Sequence, residues 1–543
     1  MSNNKEVQVV RPLSTARFAA LFVLFLAAAV SVALALRVSA RAIAESQYDS
    51  VRLLPLGSYT STETAEIVTF DPVSQQAYVV NDTLIDILDL SDPASPALVG
   101  QIDVTAYGAG ATSVAFHDGA LAVAVVADPA QDAGKIVFFD ADGNFLSEVM
   151  AGALPDMVTF SPDGKWVLAA NEGEPNAEYT VDPEGSVTII DMSAGAANLT
   201  QGDVTQASFT AFNADIDELR NQGVRIFEDV PNVTVATDVE PEYIAVAPDS
   251  MTALVTLQEN NAVALVDIPG GKVKAILPLG TKDYELPENP IDASDEDGEI
   301  QIKTWPALGM YLPDGIAAFS VEGKTYYITA NEGDARDYDG FSEEERVEDL
   351  TLDPTAFPNA ADLQLPENLG RLKVTNQNGD PDGDGDYDML YSFGARSFSI
   401  WDADGMLVYD SGSQLEERTA TLVPDIFNSN GDPDSFDSRS DDKGPEPESV
   451  VVGEVDGRLL AFIALERTGG VMVYDVMDPA APVFVTYQRL PLSDVAPEGL
   501  DFVSAADSPN GRPLLLVASE ESLTTTVYQI DAVDQLFLPV AGR

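Results

Sequence analysis

A two-strand unit recurs along the chain, and a repeat of this size leaves few folds open. Its clearest copy starts at Pro155-Asp156-Met157-Val158-Thr159-Phe160, turns at Ser161-Pro162-Asp163-Gly164 and ends in Ala169-Ala170-Asn171-Glu172. It returns from Pro241-Glu242 to Gln258-Glu259, from Pro313-Asp314-Gly315 to Asn331-Glu332, from Pro447-Glu448 to Leu465-Glu466, and from Pro497-Glu498 to Ser519-Glu520. Two weaker copies run from Ala65-Glu66 to Asn81-Asp82 and from Thr112-Ser113 to Ala127-Asp128. Several copies continue into a third short strand ending in Asp, at 84–89, 136–140, 187–191, 263–267, 397–402 and 471–475; the last copy has 525–530 there. Each stretch is β-rich and bounded by Gly, Pro, Asn or Asp.

Seven copies of roughly four strands predict an all-β, seven-bladed β-propeller. A solenoid is the rival. Unequal insertions favour the ring, and so does a β-rich stretch at 52–59 that can supply the outer strand of the last blade. The one competing helical segment is 214–222, expected as a short surface helix.

Composition removes whole classes of chemistry. There is no cysteine, so disulfides, thiolate nucleophiles and thiolate-bound metals are excluded. There is one histidine, His117, in what reads as a turn, which leaves no zinc–histidine cluster. Any metal must be held by oxygen, which points to calcium or magnesium. The net charge of −62, from 90 acidic and 28 basic residues, repels nucleic acid and anionic lipid. Surface solubility accounts for most of that charge; a cation-binding surface is the sharper reading.

Residues 1–42 read as a signal peptide or N-terminal membrane anchor. Lys5, Arg11 and Arg17 precede an apolar run over 18–36, and Ala40-Arg41-Ala42 offers a cleavage site. Either reading places residues 43–543, a single propeller domain, outside the cytoplasm, with membrane contact only through an uncleaved leader.

Strand order places the acids. In a propeller blade the first strand begins, and the second ends, on one face. Asp156, Glu242, Asp314, Glu448 and Glu498 therefore share a face with Glu172, Glu259, Glu332, Glu466 and Glu520. Capping of strand ends is an equally good account of such acids taken singly. The long insertions, 173–186, 192–240, 279–312, 333–395 and 411–446, are expected to emerge on that same face, which makes it the functional one.

Three motifs carry candidate chemistry. Asp380-Pro381-Asp382-Gly383-Asp384-Gly385-Asp386-Tyr387-Asp388 alternates carboxylates through a glycine-bent loop, the arrangement calcium needs. Position 12 is Tyr391 and the flanks are not helical, so this is a calcium loop outside an EF-hand; a disordered acidic turn is the alternative. The related loops around Glu172 and Glu332, Ala170-Asn171-Glu172-Gly173 and Ala330-Asn331-Glu332-Gly333, are candidate cation or polar-ligand sites, unless Asn and Gly only make the bend. The scarce cations Arg336, Arg396, Arg439 and Lys443 fall in the same loops; Arg396, Arg439 and Lys443 are candidates for stabilising a phosphate, against the alternative that they neutralise the acidic ring.

The loops ANEGEPN and ANEGDARDY, the DGDGDYD…SFGARSFSIWD run and RSDDKGPEPE together resemble the choice-of-anchor I family, over about 54–530. The resemblance implies an exported bacterial propeller; some members are labelled alkaline phosphatase and others are likened to a mesenchyme-specific cell-surface glycoprotein. Members carry varied C-terminal anchors, and this chain departs by showing none. Two functions follow as expectations. One is a calcium-binding surface module for an unknown extracellular ligand. The other is a calcium-dependent phosphoric ester hydrolase acting on a phosphate ester.

Overall fold

The computed structural model describes residues 51–227, 230, 233–491 and 493–532. The expected leader at 1–42 lies outside the described residues.

The described chain is all-β in its main body. Seven four-stranded antiparallel sheets follow one another in sequence. The first uses Val68–Asp71, Gln76–Asn81, Leu84–Asp89 and Ala97–Asp103; the second begins at Gly110–His117, the third at Pro155–Phe160, the fourth at Pro241–Val246, the fifth at Ile316–Val321, the sixth at Pro447–Val455 and the seventh at Pro497–Val503. The first strand of each sheet packs against that of the next, and that of the seventh against that of the first. Val51–Thr60 completes the seventh sheet by pairing antiparallel with Thr524–Ala532, Val51 opposite Ala532 and Thr60 opposite Thr524.

Sheets covered on both faces need strands apolar on both faces, and the second strands are so: all of Ala120–Val126 (ALAVAVV) is buried. The core is a series of layers between neighbouring sheets. Tyr78, Val80 and Ile87 of the first sheet meet Leu121, Val123 and Val137 of the second. Phe462 and Val473 of the sixth meet Leu515 and Tyr528 of the seventh.

The opening of the first strand is a recurring irregularity. Pro155 pairs with Asn171 and Met157 with Ala170, so Asp156 is the extra residue of a β-bulge. The register also slips between Pro241 and Ile244, Pro447 and Val450, and Pro497 and Leu500, leaving Glu242, Glu448 and Glu498 in the irregular segment. A bulge turns a side chain away from the sheet's regular faces. The residue before the proline is held left-handed in four copies: Leu154 (φ 46°), Leu312 (φ 41°), Glu446 (φ 49°) and Ala496 (φ 57°). Non-glycine residues avoid this region, and where it recurs it marks a conformation imposed by the surroundings.

Two expectations are corrected. Segment 192–240 does not emerge wholly on the acidic face. Residues 192–203 connect the third and fourth strands of the third sheet, where the Asp191 side chain accepts from Ser193 N and turns the chain. The fourth strand, Val204–Ser208, is short and polar, with exposed Thr205 and Gln206, so it gave no strand signal. The helix expected over 214–222 is present as Ile216–Gln222, but a longer one, Gln414–Leu422, lies in the insertion 411–446. Its run of helix formers, with Glu416 and Glu417 in the first turn, explains it.

The insertions build on one another. Thr281–Asp283, Leu308–Met310, Tyr391–Ser392, Lys373–Thr375 and Glu344–Arg346 form a five-stranded sheet. Its core holds Tyr284, Trp305, Leu352, Phe357 and Val374.

Candidate functional site

The ten acids named from strand order line one cavity of about 430 Å³. Glu66, Glu174, Glu240 and Asp334 join them, as do Thr112 and Ser113 from the second sheet, which supplies no acid. Two cations line it: Lys443 and Arg467. Lys443 Nζ lies 2.6 Å from Glu332 Oε1, 3.3 Å from Asp334 and 3.5 Å from Glu446. Arg467 reaches Glu466 at 3.0 Å and Glu521 at 3.2 Å. Gln258 donates to the other oxygen of Glu332 at 2.8 Å.

Among the remaining carboxylates, Glu240 pairs with Arg336 and Glu174 accepts from Tyr338, but others are poorly compensated. Glu242 Oε2, Glu259 Oε2 and Glu448 Oε2 are buried without a hydrogen-bond partner. Burial, reinforced by neighbouring charge, pushes the carboxyls of Glu66, Asp156, Glu259 and Asp314 up to about 7 and that of Glu466 to about 8. The same causes hold Glu172, Glu242, Glu448 and Glu498 well above the usual carboxylate range. Like charges gathered in a poorly hydrated space favour either protonation or a bound cation. The carboxylate oxygens of Glu332, Glu448 and Glu466 lie within 4.8 Å of one another.

The Asn residues of the paired loops tie strands together. Asn171 Nδ2 donates to Ser186 O and Oγ and to Thr188 Oγ1, and its Oδ1 accepts from Gly152 N. Asn331 Nδ2 donates to Ser397 Oγ and Ser399 Oγ. These amides fix the strand ends; Glu172 and Glu332, one residue on, are what the cavity receives.

The five-Asp loop is a separate place. Asp380 Oδ1 accepts from Gly383 N at 2.8 Å and Asp384 N at 3.2 Å, and its Oδ2 from Gly385 N at 3.0 Å. Gly383 (φ 71°) and Gly385 (φ 95°) supply left-handed backbone for the bend. Carboxylate oxygens of Asp380, Asp382 and Asp384 converge within 4.8 Å of one another. Partial desolvation and the Asp384 charge push Asp386 up to about 6, and Asp388 is raised as well. The loop is moored by Tyr387, whose hydroxyl donates to Asn376 O at 3.0 Å. None of its residues lines the cavity.

The three candidate cations separate. Lys443 lines the cavity. Arg396 does not. It is 2% exposed, pairs with Glu416 at 2.8 Å, and donates to the carbonyls of Asp292, Ser440 and Asp442, clamping the insertions 279–312 and 411–446 together. Arg439 is held by Glu446 at 2.6 Å and Asp442 at 3.1 Å. Arg336 is buried against Asp238 and Glu240, both at 3.1 Å. Sequence reasoning missed Glu240 and Arg467. Glu240 precedes Pro241 in a copy where the acid after the proline drew attention; Arg467 follows Glu466 and carried no repeat signal.

A model of the choice-of-anchor I domain matches residues 66–479. Gigasin-3a of Magallana gigas is 34% identical over 188 residues, 31% of this chain and 66% of that protein. The mesenchyme-specific cell surface glycoprotein of Strongylocentrotus purpuratus is 28% identical over 318 residues, 50% of this chain and 40% of that protein. The chain thus spans less than two thirds of either relative's length. Among solved structures, Kuenenia stuttgartiensis hydrazine synthase aligns with 88% of this chain and 99% of its own at 14% identity and a TM-score of 0.45. The β-propeller domain of Myceliophteria thermophila Cps50 (Swd1) aligns with 89% of this chain and 100% of its own at 10% identity and a TM-score of 0.43. The family match begins at Glu66, the first acid of the cavity, and runs past the third strand of the sixth sheet, and by that span the chain belongs to the choice-of-anchor I family.

Proposed function

We propose that the chain is an extracytoplasmic, calcium-binding β-propeller of seven blades, residues 43–543, that serves as a ligand-binding module at a cell surface. The observation that carries calcium is the convergence of Asp380, Asp382 and Asp384 around a glycine bend whose amides already hold Asp380 in place. A loop preset in this way loses little conformational freedom on binding a hard cation. Seven sheets with cyclically packed first strands support the blade count. The surface location is supported by the family and by the relative named a cell surface glycoprotein. No helix among the described residues is long and apolar enough to cross a membrane.

Calcium added to chelator-treated protein is expected to raise the thermal midpoint, and Asp382→Asn with Asp384→Asn to weaken calorimetric binding by roughly tenfold or more, since ligand charge sets affinity at such sites. A midpoint indifferent to calcium and to EDTA rejects the reading. The hydrolase alternative is less well served by the geometry. The cavity wall carries far more carboxylates than its two cations, Lys443 and Arg467, offset, so it repels phosphate, and Arg396 and Arg439 are committed to carboxylates elsewhere. Calcium-dependent turnover of a chromogenic phosphomonoester, lost in Lys443→Met, would restore it.

A further inference from the structure

The cavity contains a second cluster suited to a cation, distinct from the Asp loop in sequence, in place and in architecture. Glu448 opens the first strand of the sixth sheet, Glu466 directly follows the second strand of that sheet, and Glu332 directly follows the second strand of the fifth. One oxygen from each lies within 4.8 Å of the other two. Three oxygens so spaced sit close to the 2.3–2.6 Å shell that calcium requires around a common centre.

An acidic cluster alone would mean little. Here one oxygen of Glu448 is left without a hydrogen-bond partner. Glu448 is 8% exposed, lines the cavity, and its Oε2 has no hydrogen-bond partner. Its neighbours are provided for: Glu332 by Lys443 and Gln258, Glu466 by Arg467. Asp314 on the adjoining blade lines the same wall and crowds against Glu448, close enough for the two carboxyls to share a proton when no cation separates them. Lys443 and Arg467 are each shared with Glu446, so two cations face an excess of carboxylates. Isolated buried charge is costly, and the fold brings it here from two separate blades.

We infer that Glu332, Glu448 and Glu466 form a divalent-cation site in the propeller cavity, with the Lys443 ammonium as a built-in competitor for Glu332. An inorganic ion fits the lining better than an organic one. The apolar groups on the wall, Ile67, Met157 and Tyr243, come from parts of the chain other than the fifth and sixth sheets that carry the three acids. The site is independent of the Asp loop, and the two stand or fall separately.

The test is calorimetric titration of calcium, and separately magnesium, into the chelator-treated full chain and three variants. With Asp382→Asn and Asp384→Asn together, one binding event is expected to persist. Glu448→Gln is expected to weaken that event by about tenfold or more, through loss of one ligand charge. Lys443→Met is expected to tighten it by a similar factor, because the competing ammonium is gone. A merely structural role for these residues does not predict opposite signs. Glu448→Gln relieves repulsion, so its cation-free thermal midpoint should equal or exceed that of the parent, which checks folding. The inference is overturned if the loop variant binds no divalent cation, if Glu448→Gln titrates like the parent, or if spermidine binds the cavity while calcium and magnesium do not.

Discussion

Arg336 shows what one side chain does in so acidic a molecule. It is 1% exposed, its guanidinium bridges Asp238 and Glu240, and its Nη1 donates to Tyr179 at 3.2 Å. Its Cζ stands 4.4 Å from the centre of the Phe227 ring. Removing one member of a buried ionic group strands the others. Arg336→Met is expected to cost about 3–5 kcal/mol at neutral pH, read by urea denaturation. Arg336→Lys should recover part of the loss. The cost should shrink as pH falls, because burial raises the carboxyls of Asp238 and Glu240 above their ordinary values and their protonation removes the charge left unpaired. At this scale the sequence was half legible. The scarcity of basic residues singled out Arg336, Arg396, Arg439 and Lys443. It did not say which are sealed inside and which face the cavity, because that depends on how insertions far apart in sequence fold over one another.

The strand pairs were the most legible elements. Alternation, turn residues and the Pro-acid opening placed them to within a few residues, and the stretch 52–59 is indeed paired to the last sheet as Val51–Thr60. The register slip at Asp156, Glu242, Glu448 and Glu498 was not legible, since it is a mismatch between two strands and neither strand shows it alone. The insertion sheet was also hidden: strands such as Leu308–Met310 and Tyr391–Ser392 are too short for periodicity to register. Val51–Thr60 lends itself to a direct test. Without it, Thr524–Ala532 becomes an open sheet edge, which invites pairing between molecules. A chain lacking residues 51–60 is expected to elute as large species in size-exclusion chromatography, and a synthetic peptide of that strand to restore the monomer-sized peak.

Charge acts on the whole molecule. The cavity carboxyls of Asp156, Glu259, Asp314 and Glu466 protonate near 7 to 8 when folded, against 3.8 to 4.5 in an unfolded chain. Between those values the folded state binds more protons than the unfolded one, so stability falls as pH rises and levels off above the folded values. In EDTA and low salt, the thermal midpoint should therefore drop steadily from pH 5 to pH 8, and 0.5 M NaCl should reduce the drop by screening. A midpoint that rises over this range would show that the carboxylates are compensated by groups other than protons. The strand that closes the seventh sheet has one more consequence. Val51 and Ala532 are partners across that sheet, at the end remote from Glu520 and the acidic cavity. A fusion partner joined directly at Val51 or at Ala532 would therefore leave the molecule from neighbouring positions, at the end of the sheet away from the acids.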